Sequence, residues 1–215
     1  DMAEYVNQSQ TWDGIARRLR QDDATIRVRA QADGVPEDVR ANVVSALDAI
    51  AAATQPEPGA DYGDFRAVLP LNDLHARQFA CQAALWRAEG LHALFVWQSD
   101  LWAPLDHLAT PPEGAQPHVT VAMMDNEYRA ASLNVTNTSN EARTLNLDIN
   151  GLPGGANPGY ITVHEVAWTD TASGMSVVSA LPLAERSANG GWLIHVPVGM
   201  TRQIWFTFHP REKSR

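Results

Sequence analysis

The 215-residue chain carries 16 Lys and Arg against 25 Asp and Glu, a formal net charge of −9, and its basic residues are scattered rather than gathered. That balance excludes nucleic acid as a partner, because phosphate binding needs clustered cations. No stretch approaches the ~20 apolar residues of a membrane helix, and a single cysteine, Cys81, excludes an internal disulfide.

The first elements read as helix with one strand between. Trp12, Ile15, Ala16 and Leu19 recur at helical spacing over residues 11–20, with Thr11 as N-cap. Arg17, Arg18 and Arg20, followed directly by Asp22 and Asp23, read as a solvated helix end. Residues 25–31 alternate apolar and polar, the period of a half-buried strand, and Asp33-Gly34 ends it; a helix is the competing reading. Pro36 opens the next helix, whose buried face is Val39, Val43, Leu47 and Ile50 until Gln55-Pro-Glu-Pro-Gly59 stops it. Residues 55–64 have the composition of a linker. Residues 71–89 read as a third helix, with Leu74, Phe79, Ala83 and Trp86 inward and Gly90 as its C-cap. Cys81 falls within it as a small core residue.

From Leu91 the pattern changes to short apolar runs divided by turn residues. The runs at 92–97, 119–124, 129–135, 143–149, 160–166, 191–196 and 201–208 predict strands, separated by a Pro-rich loop over 104–117 and by turns such as Asn150-Gly151 and Asn189-Gly190. The expected fold class is α+β: a helical segment over residues 1–90, then an antiparallel β-sandwich of immunoglobulin or jelly-roll type over 91–215.

Several blocks in order carry a resemblance. They are Val96-Trp97-Gln-Ser-Asp-Leu-Trp102, Asn126-Glu-Tyr-Arg-Ala130, Gly151-Leu-Pro-Gly154, Thr171-Ala-Ser-Gly174, Ala180-Leu-Pro-Leu183 and the run from Val196 to Phe208. Residues 95–210 resemble the N-terminal β-sandwich of glycoside hydrolase family 123-like proteins, which are β-N-acetylgalactosaminidase-like. The resemblance implies a noncatalytic module of a secreted or periplasmic carbohydrate-processing protein, one that supports a catalytic domain or binds glycan. It places the family's catalytic Asp-Glu pair in a following barrel, and it gives Glu127 a structural role. The module is expected to lack its last strands, so that a catalytic domain or partner chain covers the open sheet edge.

The residues themselves offer few chemical groupings. Seven Trp against five Phe and four Tyr is the compositional outlier, suited to a β core or to stacking on sugar rings. Trp97 and Trp102 flank Gln-Ser-Asp beside the Pro-rich loop, and Trp168 stands two residues before Asp170, so these four are the candidate glycan-binding residues; Trp192 and Trp205 read as core. Asp125 and Glu127 form the candidate acidic pair for the alternative reading, a glycoside hydrolase. A third reading is an assembly protein whose open edge recruits a strand. The seven histidines include no close pair, so no metal site is predicted, and no phosphate-binding loop or Gly-x-Ser-x-Gly elbow calls for a cofactor.

Overall fold

In the computed structural model, which describes residues 2–54, 64–103, 105–112, 116–171 and 174–210, helices α1 (Met2–Ala30), α2 (Glu37–Ala53) and α3 (Asp73–Ala88) come first. Two expectations fail in α1. Thr11 lies inside this helix rather than capping it, and residues 25–31 are helical rather than a strand. The reason is the spacing of what is buried: Ile15, Leu19, Asp22, Ile26 and Ala30 form one stripe at i, i+4, i+7, i+11 and i+15. Val28, which a strand would bury beside Ile26, is 76% exposed. Arg27 ties this stretch to Asp23 one turn earlier at 2.7 Å and to Asp48 of α2 at 2.8 Å.

The other two helices follow the sequence closely. α2 buries Val43, Leu47 and Ile50, with Val39 partly buried at the same face. Asn72 caps α3 by accepting the His75 N–H at 2.8 Å. At its other end Gly90 adopts φ 92°, while the Leu91 N–H bonds to the Trp86 carbonyl and the Gly90 N–H to the Arg87 carbonyl, the Schellman pattern. Cys81 is buried as expected, and that burial pushes its thiol pKa up. The linker predicted over residues 55–64 falls outside the described residues up to position 63, as do residues 172–173 and 211–215.

The remainder is antiparallel β-structure, which makes the chain mixed α+β. Strands β1 (Leu94–Trp97), β2 (Arg129–Asn137), β3 (Arg143–Leu147), β4 (Ile161–Glu165), β8 (Trp192–Val196) and β9 (Met200–Phe208) match predicted runs to within a few residues. β5 (Ala167–Asp170), β6 (Ser176–Ala180) and β7 (Glu185–Arg186) were not predicted. Residues 119–124 form no strand: Val119, Val121 and Met123 are half-buried and their neighbours exposed, but no described strand pairs with them. Alternation there reflects an apolar surface beneath the segment, not a hydrogen-bonded neighbour.

The strands order as β1-β2-β9-β4, β3-β8-β7 and β5-β6. One apolar core draws Val135, Ile161, Val163, Ile204 and Phe206 from the first sheet and Trp192, Ile194 and Val196 from the second. A second core joins the helices to the β half, packing Leu19, Ile26, Leu47, Phe79 and Leu85 with Val166, Trp168 and Met200. At this seam Gly199, with φ 65° in the β8–β9 turn, lies directly against the α3 backbone. A Cβ there would collide with the Phe79 carbonyl. Gln82 of α3 donates to the Gly199 carbonyl at 2.9 Å.

Candidate functional site

The first candidate surface is the exposed Trp102, beside a buried polar row on the face of the four-stranded sheet turned away from the sheet-to-sheet core. Alternation along β2 and β9 places Ser132, Asn134 and Thr136 beside Trp205, Gln203 and Thr201, their direct cross-strand partners. Trp97 of β1 lies opposite Asn134, and its indole N–H donates to Thr136 Oγ1 at 2.9 Å. Asn134 Nδ2 donates to Ser99 Oγ at 3.0 Å. The buried atoms Ser132 Oγ, Asn134 Oδ1 and Gln203 Nε2 have no protein hydrogen-bond partner, so this row holds spare donors and acceptors. Trp102 borders it with its side chain 78% exposed, held edge-to-face on Trp205 at 5.4 Å and 70°. Its backbone N–H is fixed by Asp100 Oδ1 at 2.9 Å.

Other predicted site residues lie elsewhere. Trp168 is 7% exposed and belongs to the helix-to-sheet core, because β5 turns its indole under the helices; it offers no stacking face to a sugar. Asp170 is paired with Arg18 at 2.8 Å and lies 3.7 Å from Arg17, so its carboxylate closes an internal ion pair rather than facing a ligand. Glu127 binds Arg129 at 2.7 Å and accepts the Met124 N–H at 2.9 Å, tying down the entry to β2, while Asp125 is exposed. That arrangement pins a turn, with one Glu127 oxygen on Arg129 and the other on the Met124 N–H.

The densest group of ionisable side chains, Arg18, Asp22, His75, His107 and Asp170, was not predicted together. The expected solvated helix end lies mid-helix and only in part in solvent: Arg20 is exposed, whereas Arg18 is 4% and Asp22 1% exposed. Asp22 Oδ1 accepts from Arg18 Nη1 at 2.9 Å, and Oδ2 contacts His75 Nε2 at 2.8 Å and His107 Nε2 at 3.0 Å. Arg18 also donates to Asp170 and to the Gly174 carbonyl. His107 Nδ1 lies 2.9 Å from Ser176 Oγ. The one sequence signal was the i, i+4 spacing of Arg18 and Asp22 on an apolar stripe. The histidines stand 53 and 85 positions from Asp22, beyond any local pattern. Among the described residues, no group of three or more His, Cys, Asp or Glu is disposed to hold a metal ion.

Protonation in this cluster follows from its bonds. Burial pushes the Asp22 pKa up, but hydrogen bonds from His107 and His75 outweigh it and hold the carboxyl well below the usual range. The Leu71 N–H donates to His75 Nδ1 at 3.2 Å, so that nitrogen carries no proton and Nε2–H faces Asp22. Burial lowers the His75 pKa, against the pull of Asp22, in keeping with a neutral ring.

Stability should therefore fall on acidification. The unfolded chain protonates His75 near about 6.5 and Asp22 near about 3.9, whereas the folded chain resists both. The unfolded state thus binds more protons: stability is full above about 6.5, declines below it through His75, and declines again below about 4 through Asp22. Urea midpoints measured from pH 8 to 4 check this. The expected result is a fall beginning near pH 6.5 that is flattened in His75→Gln, and an unchanging midpoint would refute it. No protein-family model, curated protein or solved structure matches the chain.

Proposed function

We propose that this chain is a β-sandwich accessory module of an extracytoplasmic, carbohydrate-processing protein of glycoside-hydrolase-like type, and that it holds glycan against Trp102. The observation that carries the reading is the Trp102 indole, exposed yet fixed on Trp205, bordering buried polar side chains with unpartnered atoms. A sugar ring stacks its C–H face on such an exposed indole. Two sheets sharing one core favour the sandwich, and the order of short blocks over residues 95–210 favours the glycoside-hydrolase context. The alternative of hydrolysis by Asp125 and Glu127 draws no support from a Glu127 already tied to Arg129.

Affinity electrophoresis through gels containing soluble polysaccharides tests the proposal. Retardation by at least one glycan is expected, with Trp102→Ala weakening it at least about tenfold, or ~1.4 kcal/mol, at unchanged thermal stability. Absence of retardation across a broad glycan panel, or full retention of binding by Trp102→Ala, refutes it.

A second reading, assembly through an added strand, has its own observation. Val119, Val121 and Met123 line an apolar cavity of about 680 Å³ with Leu133, Phe206 and Phe208, and no described strand pairs with them. Light scattering on the purified chain separates the readings, since strand addition between copies gives a dimer or larger species.

A further inference from the structure

We propose that Ser176, His107 and Asp22 form a nucleophile–base–carboxylate relay able to take an acyl group from a small carboxylic ester. Three elements bring the groups together. Ser176 opens β6, His107 lies in the loop after β1, and Asp22 sits on the buried stripe of α1. Ser176 Oγ is 2.9 Å from His107 Nδ1, and His107 Nε2 is 3.0 Å from Asp22 Oδ2. Both distances are those a Ser–His–carboxylate relay requires, with the two ring nitrogens exchanged relative to the serine-protease arrangement.

The surroundings fit the role. Asp22 is also bound by Arg18 and His75, which hold its carboxylate in place and keep it ionised, so His107 presents Nε2–H to it and leaves Nδ1 to accept the Ser176 proton. Asp106 Oδ1 stands 3.6 Å from the same Nδ1 and accepts the Leu108 N–H, so it borders the base without displacing the serine. Ser176 is half-buried beside the exposed Met175, while the His107 side chain is only 8% exposed. Ser176 is the cross-strand partner of Asp170, and Arg17 lies 3.7 Å from that carboxylate, which puts a cation on the same side of the β5–β6 pair.

The step balances without an added reagent. Ser176 Oγ bonds to the ester carbonyl carbon as its proton passes to His107 Nδ1. The carbon–alkoxy bond then breaks, and that proton leaves with the alcohol, giving an acyl-serine. Water attacks the acyl carbon, giving one proton to His107 Nδ1, and collapse releases the carboxylic acid and returns the proton to Ser176.

The test uses the folded chain with a fluorophosphonate probe and p-nitrophenyl acetate. The expected result is phosphonylation mapped by mass spectrometry to Ser176 and a burst of nitrophenol, both reduced at least a hundredfold in Ser176→Ala and His107→Gln. Labelling absent from Ser176, or unchanged in these variants, overturns the proposal. A second measurement covers misfolding and the part played by Asp22. In Ser176→Cys the introduced thiol should react with iodoacetamide at least tenfold faster than the buried Cys81. Adding Asp22→Asn should slow the introduced thiol relative to Cys81, whose rate reports the stability lost with that carboxylate. An unreactive introduced thiol, or one that keeps its rate relative to Cys81 in the double variant, counts against the relay.

Discussion

Asp22→Ala should lower the stability of the chain by about 3–5 kcal/mol, the cost of removing one partner from a buried charge cluster. Arg18, His75 and His107 would each lose an acceptor inside the fold, and the Arg18 guanidinium, 4% exposed, would keep only Asp170 and the Gly174 carbonyl. The side chain removed is small, so the lost apolar packing is minor and the deficit comes from unmet polar groups. Thermal unfolding reads the effect as a fall on the order of 10 °C for a chain of this size. A change below ~1 kcal/mol would mean that water takes over all three bonds.

Gly199→Ala should cost about 2–4 kcal/mol for a different reason. Its φ of 65° disfavours any side chain, and the added methyl would collide with the Phe79 carbonyl, so the β8–β9 turn and α3 must move apart. Gly190→Ala provides the comparison, because Gly190 has φ 84° but open space where the methyl would go; its cost should stop at about 1–2 kcal/mol. Urea unfolding of both variants isolates the steric part, and equal costs would show that the helix-to-sheet contact yields freely.

Local chemistry explains what was legible in the sequence. Val43, Leu47 and Ile50 mark α2 because a helix packed on one face needs apolar residues at that spacing and no others. β2 was readable because Leu133 and Val135 alternate with Ser132, Asn134 and Thr136, and β9 because Ile204, Phe206 and Phe208 recur at a period of two. Residues 25–31 misled because Ile26 and Ala30 satisfy both a period of two and a spacing of four; the stripe continued from Ile15, Leu19 and Asp22 decides for helix, and Asp23, Asp48 and Gln82 then bind Arg27 and Arg29. β5 and β6 escaped notice because Trp168 is buried by helices rather than by a facing sheet, so no alternation is imposed on the pair. The Trp102 surface was readable as an aromatic beside a Pro-rich loop. Trp168 and Asp170 looked equivalent in sequence, and only the position of α1 turned both inward. The Asp22 cluster was illegible because its members come from separate elements, each polar residue resembling an ordinary surface residue on its own.

That same joint dictates an order of events during synthesis. Arg18 and Asp170 are separated by 152 positions, so at a typical ~5–20 residues per second α1 waits roughly 8–30 s for its ionic partner to be made. Until then the Arg18 guanidinium lacks that partner, and the apolar stripe of α1 has only α2 and α3 to cover it. Contacts spanning so much chain also slow folding after release, because they are made only once the intervening loop has closed. The helices and the sheets therefore lock to one another late.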